Sequence, residues 1–140
     1  MAHSNERPRV LVADGDGGEL ARTVACLDRA GFDVLVARDG EDALARARAE
    51  RPDVCVLDAL MPKLTGYDVT RRLRADPVTS DLPVLLLTAL PLDASAFDPG
   101  ADGYVRKPVS AQEIPDRVGA LLERRALRTP RAASAPRGPS

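Results

Sequence analysis

Apolar residues gather along the chain into five short runs, Val10–Ala13, Val34–Ala37, Val54–Leu57, Val84–Leu87 and Tyr104–Val105. The first four are almost wholly apolar rather than alternating, which predicts strands covered on both faces of a parallel sheet. Helical spacing fills the stretches between them. Leu20, Val24 and Leu27 recur at i, i+4 and i+7 before Gly31; Ala43, Leu44 and Ala47 follow the acidic pair Glu41-Asp42. Val69 and Leu73 mark a third helix, and Ile114, Val118, Leu121 and Leu122 a last one. The sum is (βα)₅, an α/β doubly wound five-stranded parallel sheet with right-handed crossovers.

Two places strain that pattern. Thr88 and Lys107 are 19 residues apart, and the stretch LPLDASAFDPG between them holds Pro91 and Pro99. A short or irregular fourth helix is predicted there. In the last helix Pro115 lies about five positions beyond the expected cap Ser110, where a missing N–H and a ring clash predict a kink or a late start.

Ligands of doubly wound sheets gather at the carboxyl ends of the strands, so the residues standing there carry the candidate chemistry. They are Asp14, Gly15 and Asp16 after the first strand, Asp58 after the third, Thr88 after the fourth and Lys107-Pro108 after the fifth. Clustered carboxylates repel unless a hard, oxygen-seeking cation such as Mg²⁺ shares their site. Such an ion would shield a phosphoryl group approaching Asp58, whose carboxylate could attack phosphorus in line. Lys107 would add a point charge and Thr88 a hydroxyl donor. Singly, each residue is as well explained as a turn former, helix cap or surface charge; their arrival together at successive strand ends points to a site.

Length and charge refine the boundaries. The chain of 140 residues supports one domain, read as residues 8–125 between a disordered start, 1–7, and a disordered basic tail, 126–140. Residues 1–123 hold all 21 acids against 15 bases, whereas 124–140 hold five arginines and no acid. The tail is rich in Ala, Pro, Ser and Arg without apolar periodicity. It lacks the interleaved aromatics or recognition helix of a nucleic-acid binder, so no direct DNA binding is expected. Cys26 and Cys55 have neither metal-ligand nor redox-pair spacing and read as small buried hydrophobes. The longest apolar run, Leu82 to Leu92, is broken by Pro83, Thr88 and Pro91, too short for a membrane span. The start, MAHSNERPR, has no signal-peptide core. A cytoplasmic location is the resulting expectation.

The segment VCVLDALMPKLTGYDV, with Asp58, Met61-Pro62 and Gly66, resembles the phosphoacceptor region of response-regulator receivers in two-component signalling. ARDGEDAL at 37–44 and GADGYVRKPV at 100–109 are similar to two further segments of that family, and the likeness covers about residues 8–125. It implies a flavodoxin-like fold, with Asp58 accepting a phosphoryl group from a histidine kinase or phosphotransfer protein. Lys107, Thr88 and Ala89 would contact that group. Thr88 would swing toward it and Tyr104 change rotamer with Thr88, coupling the site to an unknown downstream protein target or to a homodimer partner. Pro108 would follow a cis peptide bond that aims the Lys107 loop. Mg²⁺ would be held by Asp14, Asp16, Asp58 and the backbone carbonyl of Leu60. Leu60 and Leu90 flank the path of hydrolytic water in this family, and two apolar side chains there predict slow self-dephosphorylation. No enzymatic turnover is implied beyond self-phosphorylation and self-dephosphorylation at Asp58. No output domain is expected after the receiver segment.

The family usually carries two adjacent acids after the first strand, the second of them the direct metal ligand, and Gly15 stands in that second place. Asp16 could compensate only if the glycine-rich loop bends it inward; weakened or rearranged Mg²⁺ binding is therefore expected. Two other readings remain open on the residues. One is a pseudo-receiver, an interaction module that keeps the fold and has lost the chemistry. The other is a small phosphatase, because VLVADGDGG resembles the first motif of haloacid-dehalogenase-type enzymes. Asp14 would then be the nucleophile, Asp16 the acid/base, Thr88 and Lys107 the phosphate contacts, and Asp98 or Asp102 metal ligands. That family prefers Thr or Val at the place of Gly18, and it leaves the Asp58 segment unexplained.

Overall fold

A computed structural model describes residues 7–89 and 100–134. Five strands, β1 (Arg9–Ala13), β2 (Asp33–Ala37), β3 (Val54–Asp58), β4 (Val84–Thr88) and β5 (Gly103–Arg106), form one parallel sheet in the order β2-β1-β3-β4-β5. Each expected run is a strand, extended by one residue or so. Among the described residues four helices cover the sheet: α1 (Gly17–Arg29), α2 (Gly40–Glu50), α3 (Gly66–Ala75) and α4 (Glu113–Ser134). The segment expected to hold a short fourth crossover helix, together with Leu90, Pro91, Asp98 and Pro99, lies outside the described residues.

Alternation along the strands splits the core in two. Leu11, Cys55, Leu57, Val84 and Leu86 pack with Ala43, Leu44, Ala47, Val69 and Leu73 under α2 and α3. Val10, Val12, Val54, Val56, Leu85, Leu87 and Val105 pack with Leu20, Leu27, Ile114, Val118 and Leu121 under α1 and α4. Continuous apolar runs are required because both faces are covered. Strand β2 departs from this expectation: Asp33 and Val36 are exposed, since an edge strand has a neighbour on one side only.

Three helices open on a side-chain cap that accepts from the backbone N–H three residues on. Asp16 caps α1 through Glu19, Asp39 caps α2 through Asp42, and Thr65 caps α3 through Asp68 in a reciprocal capping box. Helix α4 starts at Glu113, so Pro115 falls in its first turn, where backbone N–H groups have no intrahelical partner to lose. The late start is thus the outcome at Pro115. Helix α4 runs on to Ser134, past residue 126 where the basic tail was expected to begin. Cys55 is buried and its thiol is pushed up to about 12 by desolvation, which makes it inert. Cys26 corrects the expectation of burial. It is half-exposed on α1, its Sγ 3.6 Å from an Arg29 nitrogen.

Candidate functional site

Parallel strands deliver their carboxyl ends to one edge of the sheet, and there the expected residues meet. Asp14 follows β1, Asp58 ends β3, Thr88 ends β4 and Lys107 follows β5. Asp14, Asp58 and Thr88 are only 2%, 7% and 3% exposed. The Lys107 backbone N–H donates to the Thr88 carbonyl at 2.8 Å, which carries the β4–β5 ladder one step further, and the Lys107–Pro108 bond is cis. The Lys107 ammonium lies 2.5 Å from Asp58 Oδ1 and 2.9 Å from Glu19 Oε1.

Glu19 is the residue that strand-end reasoning missed, and it, not Asp16, lies in the carboxylate cluster. Carboxylate oxygens of Asp14, Glu19 and Asp58 lie within 4.8 Å of one another. Asp16 is exposed and turned to the helix end, where Oδ1 accepts from the Glu19 N–H at 3.0 Å. Its own backbone N–H donates to Asp14 Oδ1 at 2.8 Å. The backbone N–H of Glu19, then that of Gly18, hold the Asp16 carboxyl below its usual range. Side chains of a helix lean toward its N-terminus, so an acid at the third position of α1 reaches back to the sheet edge while the cap points along the helix. The spacing Asp16-x-x-Glu19 was the available signal. Gly15 is exposed, and a Cβ placed on it would meet Pro62 Cδ at 2.9 Å, so the loop is built around the glycine.

Three carboxylates facing one ammonium leave the cluster anionic. Desolvation pushes Asp14 up to about 6, partly offset by the Asp16 N–H and reinforced by the Asp58 charge. Burial also raises Asp58, with the Lys107 hydrogen bond pulling it back. For Lys107, burial favours the neutral amine, but hydrogen bonds to Asp58 and Glu19 outweigh it and hold the ammonium above its ordinary value. An all-oxygen, net-negative donor set of this kind fits a hard divalent cation.

Asp14 makes this charge imbalance measurable. Its native pKa of about 6 lies above the unfolded value, so between the two the native state binds more protons than the unfolded chain. Ionised Asp14 therefore costs stability above pH 6 or so, and the cost fades as pH falls toward the ordinary carboxyl range. Asp14→Asn should raise the melting midpoint in metal-free buffer at pH 7.5 by about 5 °C, the gain shrinking toward pH 4.5. Calorimetric scans that show an unchanged midpoint at pH 7.5, or a gain that grows on acidification, would contradict this assignment.

Thr88 leaves β4 on the α3 side, where its Oγ1 is 3.1 Å from the Tyr67 hydroxyl. Tyr104, paired in register with Leu86, is half-buried against the same core layer as Tyr67. Ala89 is exposed next to Thr88, and the Leu60 side chain is 71% exposed. Asp102 does not reach the site. It stands at the opposite edge of the sheet, before β5, where it pairs with Arg74 at 2.8 Å and accepts from the Val84 N–H.

Residues 10–119 match the family described as the response regulator receiver domain. The chain belongs to the response regulator receiver domains. Among curated relatives of this receiver, the DNA-binding dual master transcriptional regulator RpaA of Synechocystis is 43% identical over 90% of the chain and 53% of its own length. The alkaline phosphatase synthesis transcriptional regulatory protein PhoP of Bacillus subtilis is 38% identical over 87% and 51%. The receiver thus spans about half the length of the curated relatives it matches. A putative response regulator from Chloroflexus aurantiacus shares its fold with a TM-score of 0.78 at 35% identity, covering 84% of this chain and 99% of that one. The receiver domain of a sensor histidine kinase from Pseudomonas aeruginosa, solved with a magnesium ion coordinated in its active site cleft, has a TM-score of 0.77 at 25% identity, covering 84% and 98%. The phosphatase reading of Asp14 and Asp16 is set aside, because Asp16 is committed to capping α1 and Asp102 to the far edge of the sheet. Among the described residues no helix is long and apolar enough to cross a membrane.

Proposed function

We propose that this receiver is phosphorylated on Asp58 and signals through protein–protein contacts in a two-component relay. The observation that carries the reading is the buried Asp58 carboxylate held 2.5 Å from Lys107 inside a three-acid cluster at the strand ends. A carboxylate oxygen of Asp58 attacks phosphorus of a donor phosphohistidine. The new O–P bond forms as the P–N bond breaks, and the electron pair returns to the imidazole. Lys107 is placed to follow the charge as it passes from the carboxylate to the phosphoryl oxygens, and Glu19 keeps the ammonium at the cluster throughout. Asp14, Glu19 and Asp58 would hold Mg²⁺, which when bound neutralises carboxylate and phosphoryl charge together. Thr88 and the backbone N–H of Ala89 would donate to the phosphoryl oxygens from the β4 side. The groove between α1 and the start of α4, lined by Arg22, Cys26, Val109 and Ile114 and opening beside Asp14 and Lys107, would admit the donor protein, a histidine kinase or phosphotransfer protein.

Acetyl phosphate and Mg²⁺ should add one phosphoryl group to the purified chain, read by intact mass, and Asp58→Asn should abolish the adduct. The adduct should persist in the same experiment, since Leu60 presents an apolar side chain two residues past the acceptor. A wild-type chain that stays unlabelled, with its fold intact, would instead support the phosphorylation-independent pseudo-receiver that Gly15 suggests.

A further inference from the structure

Strand alternation places Asp58 and Thr88 on opposite faces of the sheet. Val56 and Val105 pack in the layer under α1 and α4, so Asp58 and Lys107, each two residues on, leave the sheet toward that layer, where they meet Glu19. Leu86 packs in the layer under α2 and α3, and Thr88, two residues on, leaves toward α3. Its hydroxyl is met there by Tyr67, the second residue of α3, at 3.1 Å. To reach a phosphoryl oxygen on Asp58, Thr88 must turn across the sheet edge, a change of rotamer that gives up the Tyr67 contact. We propose that Tyr67 is the positioning residue that holds Thr88 in its resting orientation and sets how readily Thr88 turns to a phosphoryl group.

The placement of Tyr67 suits that role. Helix α3 is locked at its start by the reciprocal Thr65–Asp68 cap, and the Gly66 N–H donates to the Ala59 carbonyl at 2.9 Å. The hydroxyl is therefore carried by a junction tied to the residue after the phosphoacceptor, while the Tyr67 ring packs against the core layer that also holds Tyr104. A bond made only in the resting state opposes the transition by its own net strength.

This inference rests on the phosphorylation of Asp58, and the experiment separates the two. The 140-residue chain with labelled threonine methyls is titrated with beryllofluoride, a phosphoryl mimic, in Mg²⁺, for wild type, Tyr67→Phe, Thr88→Val and the double variant. Tyr67→Phe keeps the ring and removes only the hydroxyl. It should shift the Thr88 methyl resonance in the unliganded protein and tighten beryllofluoride binding about two- to tenfold, as the loss of one neutral hydrogen bond from the resting state predicts. In the Thr88→Val background the same change should alter affinity by less than about twofold, since distant or unconnected changes add and these two share one bond. Unchanged or weakened binding by Tyr67→Phe, or an equal gain in the Thr88→Val background, overturns the role of Tyr67. Failure of folded wild type to bind beryllofluoride overturns the Asp58 reading and this inference with it.

Discussion

Replacing Gly66 with alanine should cost the receiver about 2–3 kcal/mol of folding stability, read as a lowered urea midpoint at unchanged slope. A Cβ at this position would lie 2.4 Å from the Asp58 carbonyl oxygen, 2.9 Å from Leu86 Cδ2 and 3.0 Å from Ala59 Cα. Two of those neighbours are backbone and cannot rotate away. The helix-forming gain of alanine over glycine, about 1 kcal/mol at most, does not offset such overlap. Relief has to come from moving either α3 or the backbone of Asp58, so acetyl-phosphate labelling of Asp58 should slow in the same variant. Gly119→Ala supplies the contrast. That glycine lies inside α4 with nothing within 4 Å of a built Cβ, and its replacement should stabilise the fold by up to about 1 kcal/mol. If the two variants prove equally stable, close packing at the Asp58 junction is not what requires glycine there.

Glu19→Gln should weaken Mg²⁺ binding by at least about tenfold in a calorimetric titration, because it removes one of three charged donors from the cluster. Asp16→Ala should leave the Mg²⁺ affinity within about twofold of wild type and cost about 1 kcal/mol of stability, the ordinary loss for an N-cap. The two variants sit three residues apart on the same loop and helix, so the contrast isolates which acid faces the ion. The opposite pattern, affinity lost with Asp16 and kept without Glu19, would return the metal role to Asp16 and require the loop to rearrange on binding. Removing Glu19 also leaves Lys107 with Asp58 as its remaining partner in the cluster, so labelling of Asp58 by acetyl phosphate should change along with Mg²⁺ affinity.

Much of the fold was legible because parallel strands covered on both faces must be nearly continuous apolar runs. Val10–Ala13, Val54–Leu57 and Val84–Leu87 could hardly be placed otherwise, and each is a buried strand or its core. The edge strand β2 was read as equally covered and is not, since lateral position in a sheet leaves no mark on a four-residue run. The site was legible to the extent that it is made of strand ends: Asp14, Asp58, Thr88 and Lys107 are where the pattern put them. It was incomplete at the helix start, where the carboxylate cluster holds Glu19 and not Asp16. Asp16 and Glu19 differ in role through the direction of their side chains, one folded onto the helix end and one leaning back to the sheet.

Local pattern, then, determined the strands, the crossovers and the likeness of the Asp58 segment to the receiver family, because periodicity and short motifs are properties of neighbours in the chain. The tertiary structure alone decided the gathering of Glu19 with Asp14 and Asp58, the meeting of Tyr67 with Thr88, and the crowding of Gly66 against Asp58. Each of these depends on distances between segments remote in sequence. Burial at the sheet edge then gives those distances their electrostatic weight, raising Asp14 and Asp58 while Lys107 remains charged between Asp58 and Glu19.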